Sequence, residues 1–397
     1  MNSNSVASEL FQLLRRTAPP LEPSAERWKE LLSFADRTHI TLQLHGNPHL
    51  PRRVEQQVEE RWAKNAGRRR RLEECFLEIV SEFKSRGIPY VLLKGFTHET
   101  GFGLKHGSRV QSDLDFLVSP ADRGLAAAAL QDLGYRPHGA ENLSAEHDRP
   151  WVRPFTWTWK GDYFDPEMPI PVELHDSAWS ASGDRIQCPG LEEFWNRRGP
   201  LTTSGLCVQA FTEVDRVAFA ALHALRHILR NDARPAHVFE LARLLETRVD
   251  DRDLWNQWAG AHHPEARKLQ ADVRQLQVIA FRFAEEWFGC GLPQVVAQEC
   301  EALPAPVTSW LGRFAWSPVE NLTRANKDVL WLHLALLKSR RDRWHVASSR
   351  LLPLRVPYEA FPTRLRYHAS ALLPALRAGV RWWWTRTTSS TISHTSD

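Results

Sequence analysis

Residues 92–118 read LLKGFTHETGFGLKHGSRVQSDLDFLV, opening on a Lys94-Gly95 turn and closing on an Asp-x-Asp pair. Side chains alternate along an extended segment, so Asp113 and Asp115 share one face while Leu114 and Phe116 point the other way. Two carboxylates placed side by side repel each other unless a cation lies between them. Mg²⁺ suits such a pair, because it takes oxygen ligands and is usually held by one or two carboxylates together with substrate phosphates. Taken alone, the pair is also what the polar start of an ordinary strand looks like.

The flanking sequence sharpens the choice. IPYVLL, just upstream, is short, β-branched and aromatic, and predicts a strand that leads into Lys94-Gly95 and a short helical stretch before the SDLDFLV strand. A helix is predicted from about Val54 to Phe83. Its RRRR run at 68–71 points around most of the circumference and is read as a solvated structural feature. Downstream, SPADRGLAAAALQDLGY predicts a helix capped by Ser119, with Pro120 in its first position, closing at Gly134. FTWTW and PIPVELH predict an antiparallel hairpin and hence a mixed sheet, and Glu173 on its second strand stands ready as a third carboxylate beside Asp113 and Asp115. Three such carboxylates can hold two metal ions that clamp the attacking and leaving oxygens of a phosphoryl or nucleotidyl displacement. From about Glu213 onward, VDRVAFAALHALRHILR, AHVFELARLLETR, ADVRQLQVIAFRFAEEWFG and KDVLWLHLALLKSRRDRW each carry an apolar face at helical period. A Ser/Thr-rich tail from about Thr385 is expected to be disordered.

At this point GIPYVLLKG, Arg109, DLDFLV, the alanine-rich helix ending LGY, and VELH together resemble a family of uncharacterised nucleotidyltransferases with a polymerase-β-like fold. The helix RWAKNAGRRRRLEECFLEIVSEFKSRGI and the downstream LHALRHILRNDARPAHVFELARLL are similar too, so the resemblance covers roughly residues 55–250. It implies that Asp113 and Asp115 bind Mg²⁺ and that Glu173 stands at a third carboxylate position, where relatives commonly have aspartate. It also implies a nucleotide-binding turn at Lys94 and Gly95, although better-known polymerase-β-like enzymes have Gly-Ser or Gly-Gly there. Arg109, four residues before Asp113, is the further cation expected on phosphate. His175 lies two residues beyond Glu173 on the same strand face. His223 and His227 are spaced i, i+4 as a metal pair can be, but HALRH lacks the glutamate of a zincin and the sequence offers no evident third ligand.

The whole chain bounds these readings. At 397 residues it exceeds one average domain, and the predicted division is an N-terminal helical segment (1–54), a nucleotidyltransferase core (55–210), a helical domain (211–384) and a tail (385–397). Five cysteines, odd in number and without a CxxC, argue against a disulfide framework and a zinc ribbon. A net charge of +4 is too mild for a dedicated nucleic-acid binder, which disfavours that partner without closing the reading. No apolar run approaches a bilayer span and the N-terminus lacks a signal-peptide pattern, so a cytoplasmic protein without membrane partners is expected. No P-loop, GxSxG elbow or GxGxxG after a strand is present, and no internal repeat of fixed period. The fold class expected is α+β, a small mixed sheet flanked by helices with a mainly helical C-terminal part. The function expected is Mg²⁺-dependent transfer of a nucleoside monophosphate from an NTP to an acceptor hydroxyl or phosphate on a small molecule, peptide or protein. Two readings stand beside it: a catalytically degenerate protein that binds nucleotide or peptide, and a group transferase using a nucleotide-activated donor.

Overall fold

The structure, a computed structural model, describes residues 5–15, 22–139, 149–261, 273–322, 328–351, 374 and 376–382. The tail predicted from 385 lies outside these residues.

The N-terminal helices α1 (Val6–Leu13), α2 (Ala25–Arg37) and α3 (Arg52–Ser85) precede the sheet. Along the chain then come β1 (Tyr90–Leu92), β2 (Leu114–Val118), α4 (Arg123–Asp132), β3 (Arg136–Pro137), β4 (Trp151–Val152), β5 (Val172–His175) and the hairpin β6 (Gly199–Thr203) and β7 (Leu206–Ala210). The main sheet runs β1-β2-β5-β4-β3, with β2 and β5 parallel and the other pairs antiparallel. The fold is therefore α+β with a small mixed sheet, as expected.

Strand alternation divides the apolar residues between two cores. Leu114, Phe116 and Val118 of β2, with Val172 and Leu174 of β5, pack against Leu72, Phe76, Ile79 and Phe83 of α3 and against α4. Those α3 residues recur at intervals of three and four, which gathers them on one helix face. Leu117 and Val91, on the opposite sheet face, join a larger core built mostly from helices. These helices are α5 (Glu213–Leu229), α6 (Pro235–Thr247), α7 (Arg252–Ala261), α8 (Val273–Phe288), α9 (Gln294–Glu301), α10 (Ala305–Phe314), α11 (Ser317–Glu320), α12 (Asp328–Leu336) and α13 (Arg340–Leu351). Phe11 of α1 packs against Phe288 of α8 at a centroid distance of 4.6 Å, which ties the start of the chain to this helical layer.

Four expectations are corrected. Helix α4 begins at Arg123, because Ser119 spends its hydroxyl on the Asp122 amide (3.1 Å) and carboxylate (2.6 Å), closing a turn before the helix. FTWTW forms no strand: Trp151 of β4 pairs with Val172 instead, while Trp157 donates to Asp165 (2.9 Å) and Trp159 packs on Tyr163. KDVLWLHLALLKSRRDRW is two helices, α12 and α13, separated at 337–339. Within RRRR, Arg68 is buried, 1% exposed, rather than solvated. Its guanidinium donates to the carbonyls of Gln111 (3.1 Å), Ser112 (2.8 Å) and Met168 (2.8 Å), so one side chain of α3 holds the approaches to both β2 and β5. The β6–β7 hairpin was not anticipated, although its Ser204-Gly205 turn, with φ of 51° and 82°, is a hairpin signal.

Candidate active site

The parallel pairing of β2 with β5 sets Asp115 directly beside Glu173, and Leu117 beside His175. Neighbouring strands lie about 4.8 Å apart, so a sheet can bring two carboxylates close without any help from loops. Both point away from the α3 core, as the alternation requires. The amide of Leu93 donates to the Asp115 carbonyl (3.1 Å), and this last rung places Lys94 over the pair.

Asp115 is 2% exposed and shares its Oδ1 between Lys94 Nζ and His175 Nε2, each at 3.2 Å. His175 Nε2 also lies 3.6 Å from Glu173 Oε2. Burial disfavours charge on Lys94, yet the fields of Asp115, Asp113 and Glu173 outweigh it and hold the ammonium above its ordinary pKa. His175 is likewise opposed by burial, but its hydrogen bonds to Asp115 and Glu173 prevail and push it up to about 9. At neutral pH both cations are charged and the acidic cluster is largely compensated.

Does this donor set fit a divalent cation? Ligand atoms of Asp115, Glu173 and His175 all lie within 4.8 Å of one another, a span one ion can bridge. Two carboxylates suit a hard cation. A cation bound there would compete with the His175 proton and the Lys94 ammonium for Asp115. Asp113 stands outside this trio, just before β2, but lines the same cavity.

That cavity has a volume of about 650 Å³, inside the ~300–1,000 Å³ range typical of small-molecule sites. Asp113, Glu173, His175 and Lys94 line one part of the wall, and α5 and α6 supply another with His223, His227 and His237 among others. Arg109 reaches the cavity, but its Nε donates to Glu240 of α6 (2.8 Å), which also accepts from His98 Nδ1 (2.7 Å). Burial alone would raise the Glu240 carboxyl, yet Arg109 and His98 hold it below the ordinary range, so it stays ionised. Gly95 does not line the cavity. It is buried with φ of 74°, and a Cβ there would collide with the Gln111 side chain, whose amide donates to the Asp113 carbonyl (2.8 Å). Its absence of a side chain lets Gln111 position Asp113.

Three further residues escaped the sequence reading. Glu240 sits in AHVFELARLL, where a glutamate looks like part of a polar face, and only its 4% exposure distinguishes it. Asp184 lies in a loop and binds both Arg226 of α5 (2.8 Å) and Arg230 just past its end (2.9 Å), orienting the basic side of the cavity. His237, ten residues after His227, lies in the first turn of α6 beside His223 and His227. Glu240 and Asp184 meet partners far away in sequence, which no local spacing could have signalled, whereas the H-x3-H-x9-H spacing of His223, His227 and His237 was there to be read.

No helix among the described residues is long and apolar enough to cross a membrane. No curated protein and no solved structure matches the chain. The model of one family does match, over residues 24–289, more than half of the chain and including both walls of the cavity. By that match the chain belongs to a family described as uncharacterised nucleotidyltransferase.

Proposed function

We propose that this protein is a divalent-cation-dependent nucleotidyltransferase that moves a nucleoside monophosphate from an NTP to an acceptor hydroxyl or phosphate. The observation that carries this reading is the in-register pair Asp115–Glu173 on parallel strands, with Glu173 and the nearby Asp113 lining a cavity large enough for a nucleotide and Asp115 buried just behind it. Asp113, Asp115 and Glu173 would hold the cation, with Mg²⁺ the expected ion. When bound, the cation supplies charge neutralisation at the reacting phosphate. Lys94, released from Asp115, and Arg109 on the cavity wall provide positive charge for the triphosphate. The acceptor oxygen attacks the α-phosphorus, the bond to the β-phosphate oxygen breaks, and pyrophosphate departs with the electron pair. Glu173, 20% exposed at its side chain, is placed to take the acceptor proton.

A second reading has its own support. Lys94 and His175 together satisfy Asp115, which is also how a site that binds nucleotide without catalysis would be built. Incubation with each α-labelled NTP, Mg²⁺ and a cell extract separates the two, comparing the wild type with Asp115→Asn and Asp113→Ala. Label transfer lost in both variants supports catalysis. Transfer undiminished in them sinks the assignment, and Mg²⁺-dependent NTP binding without transfer favours the non-catalytic reading.

A further inference from the structure

The helical wall of the cavity carries a second group of potential ligands. His223 and His227 lie one turn apart on α5, and His237 comes from the first turn of α6. A ring nitrogen from each lies within 4.8 Å of the other two. Ring centroids are 4.6, 4.7 and 5.3 Å apart, so three imidazoles crowd around one point. His223 Nε2 and His227 Nε2 are separated by 3.3 Å. Two imidazole nitrogens on a tetrahedral Zn²⁺, at bond lengths of about 2.0–2.1 Å, would stand roughly 3.3–3.4 Å apart.

A carboxylate that holds one of these rings is also in place. The chain turns back after α5 through Asn231 (φ 62°), where the Asp232 amide donates to the His227 carbonyl (2.9 Å). This brings Asp232 Oδ2 to 3.2 Å from His227 Nδ1. A carboxylate that accepts the Nδ1 proton fixes the tautomer and turns the Nε2 lone pair toward His223, the arrangement that orients metal-binding histidines. His237 Nδ1 is buried and has no hydrogen-bond partner among the described residues. Burial above all, with the neighbouring imidazoles and basic side chains, keeps all three rings below the ordinary histidine pKa, so they are neutral ligands at pH 7.

We propose that His223, His227 and His237 form a Zn²⁺ site in the cavity wall, distinct from the carboxylate site, with Asp232 as the positioning residue for His227. All three histidines line the cavity, which leaves the fourth position of a tetrahedral ion open to it. Lys94, Arg226 and Arg234 line the same cavity, and their positive charge favours an anionic oxygen, from phosphate or carboxylate, as the fourth ligand.

The test uses the full chain, stripped with chelator and then titrated with Zn²⁺ alone. One tightly held Zn²⁺ per chain is expected in the wild type and in Asp115→Asn, with stoichiometric binding lost in His223→Gln and His237→Gln. Asp232→Asn should weaken binding about 10–100-fold. Substoichiometric Zn²⁺ in the wild type, or unchanged affinity in both histidine variants, overturns the site. So does loss of Zn²⁺ in Asp115→Asn with retention in the histidine variants, which would place the ion among the carboxylates. Should the histidine variants not fold, zinc-edge X-ray absorption of the wild type decides: imidazole scattering supports the site, and an oxygen-dominated shell refutes it.

Discussion

The two walls of the cavity hold histidines with opposite fates. His175, on the sheet wall, is pushed up to about 9, whereas His223 and His237, on the helical wall, are driven well below their ordinary value. Burial opposes charge on all three. The neighbours decide the sign: parallel strand pairing gives His175 two carboxylates, while the others face one another's imidazoles and basic side chains that include Lys94, which reinforce burial. One wall is a charged lattice that a hard cation could enter by displacement, and the other is a neutral nitrogen cluster.

The comparison can be broken at its strongest point by Asp115→Asn. Label transfer from α-labelled NTP should fall at least ~100-fold, the scale at which losing a charge-stabilising group usually registers. The His175 pKa, followed by NMR, should drop from its raised value in the same variant, because its first hydrogen-bond partner loses charge. His223 should not move with it.

Removing the support beneath the sheet wall comes next. Arg68→Met strands the carbonyls of Gln111, Ser112 and Met168 in a buried place, and unfolding in urea should show a loss of about 2–4 kcal/mol. Arg68→Lys should recover only part of it, since an ammonium lacks the planar fork that reaches both strand approaches.

Gly95→Ala should cost less, about 1–3 kcal/mol, through its left-handed backbone and the contact with Gln111. Because Gln111 holds the Asp113 carbonyl, label transfer should decline as well. Retained transfer in a destabilised Gly95→Ala would show that Asp113 does not depend on this prop.

The gentlest probe is pH, applied to metal-free protein. His175 binds its proton more tightly when folded, so its contribution is fully present below about 6.5, its unfolded value, and is lost as pH rises toward about 9. His39, which also lines the cavity, and His333 are held down to about 4, chiefly by burial. Their unfolded states take up protons first, so stability declines as pH falls from about 6.5 to about 4. The urea midpoint should therefore fall on both sides of neutrality, and His175→Gln should flatten the alkaline side alone.

Much of the sheet wall was legible because its signals are local. The alternation of DLDFLV marked the strand carrying Asp115, a β-branched run marked the strand before Lys94, and VELH marked the strand carrying Glu173, while Asp113 lies just before its strand. Alternation misled at FTWTW, where aromatic side chains found partners in a loop and left pairing to the shorter β4. The RRRR run shows the same limit, since only once α3 meets the sheet do four identical residues become a buried staple at Arg68, a half-buried ion-pair partner of Glu73 and Glu99 at Arg69, a half-buried Arg71 and an exposed Arg70.

By itself, the order of residues determined the α+β class, the helical C-terminal part and the strands that carry Asp115 and Glu173, because each depends on a periodicity of two or three to four residues. Only the tertiary structure decided that Glu173 lies beside Asp115, that Arg109 is paired with Glu240 and that His237 completes a trio with His223 and His227. Those contacts depend on which strands pair and which helices pack, and a periodicity within one segment carries no record of its neighbour in space.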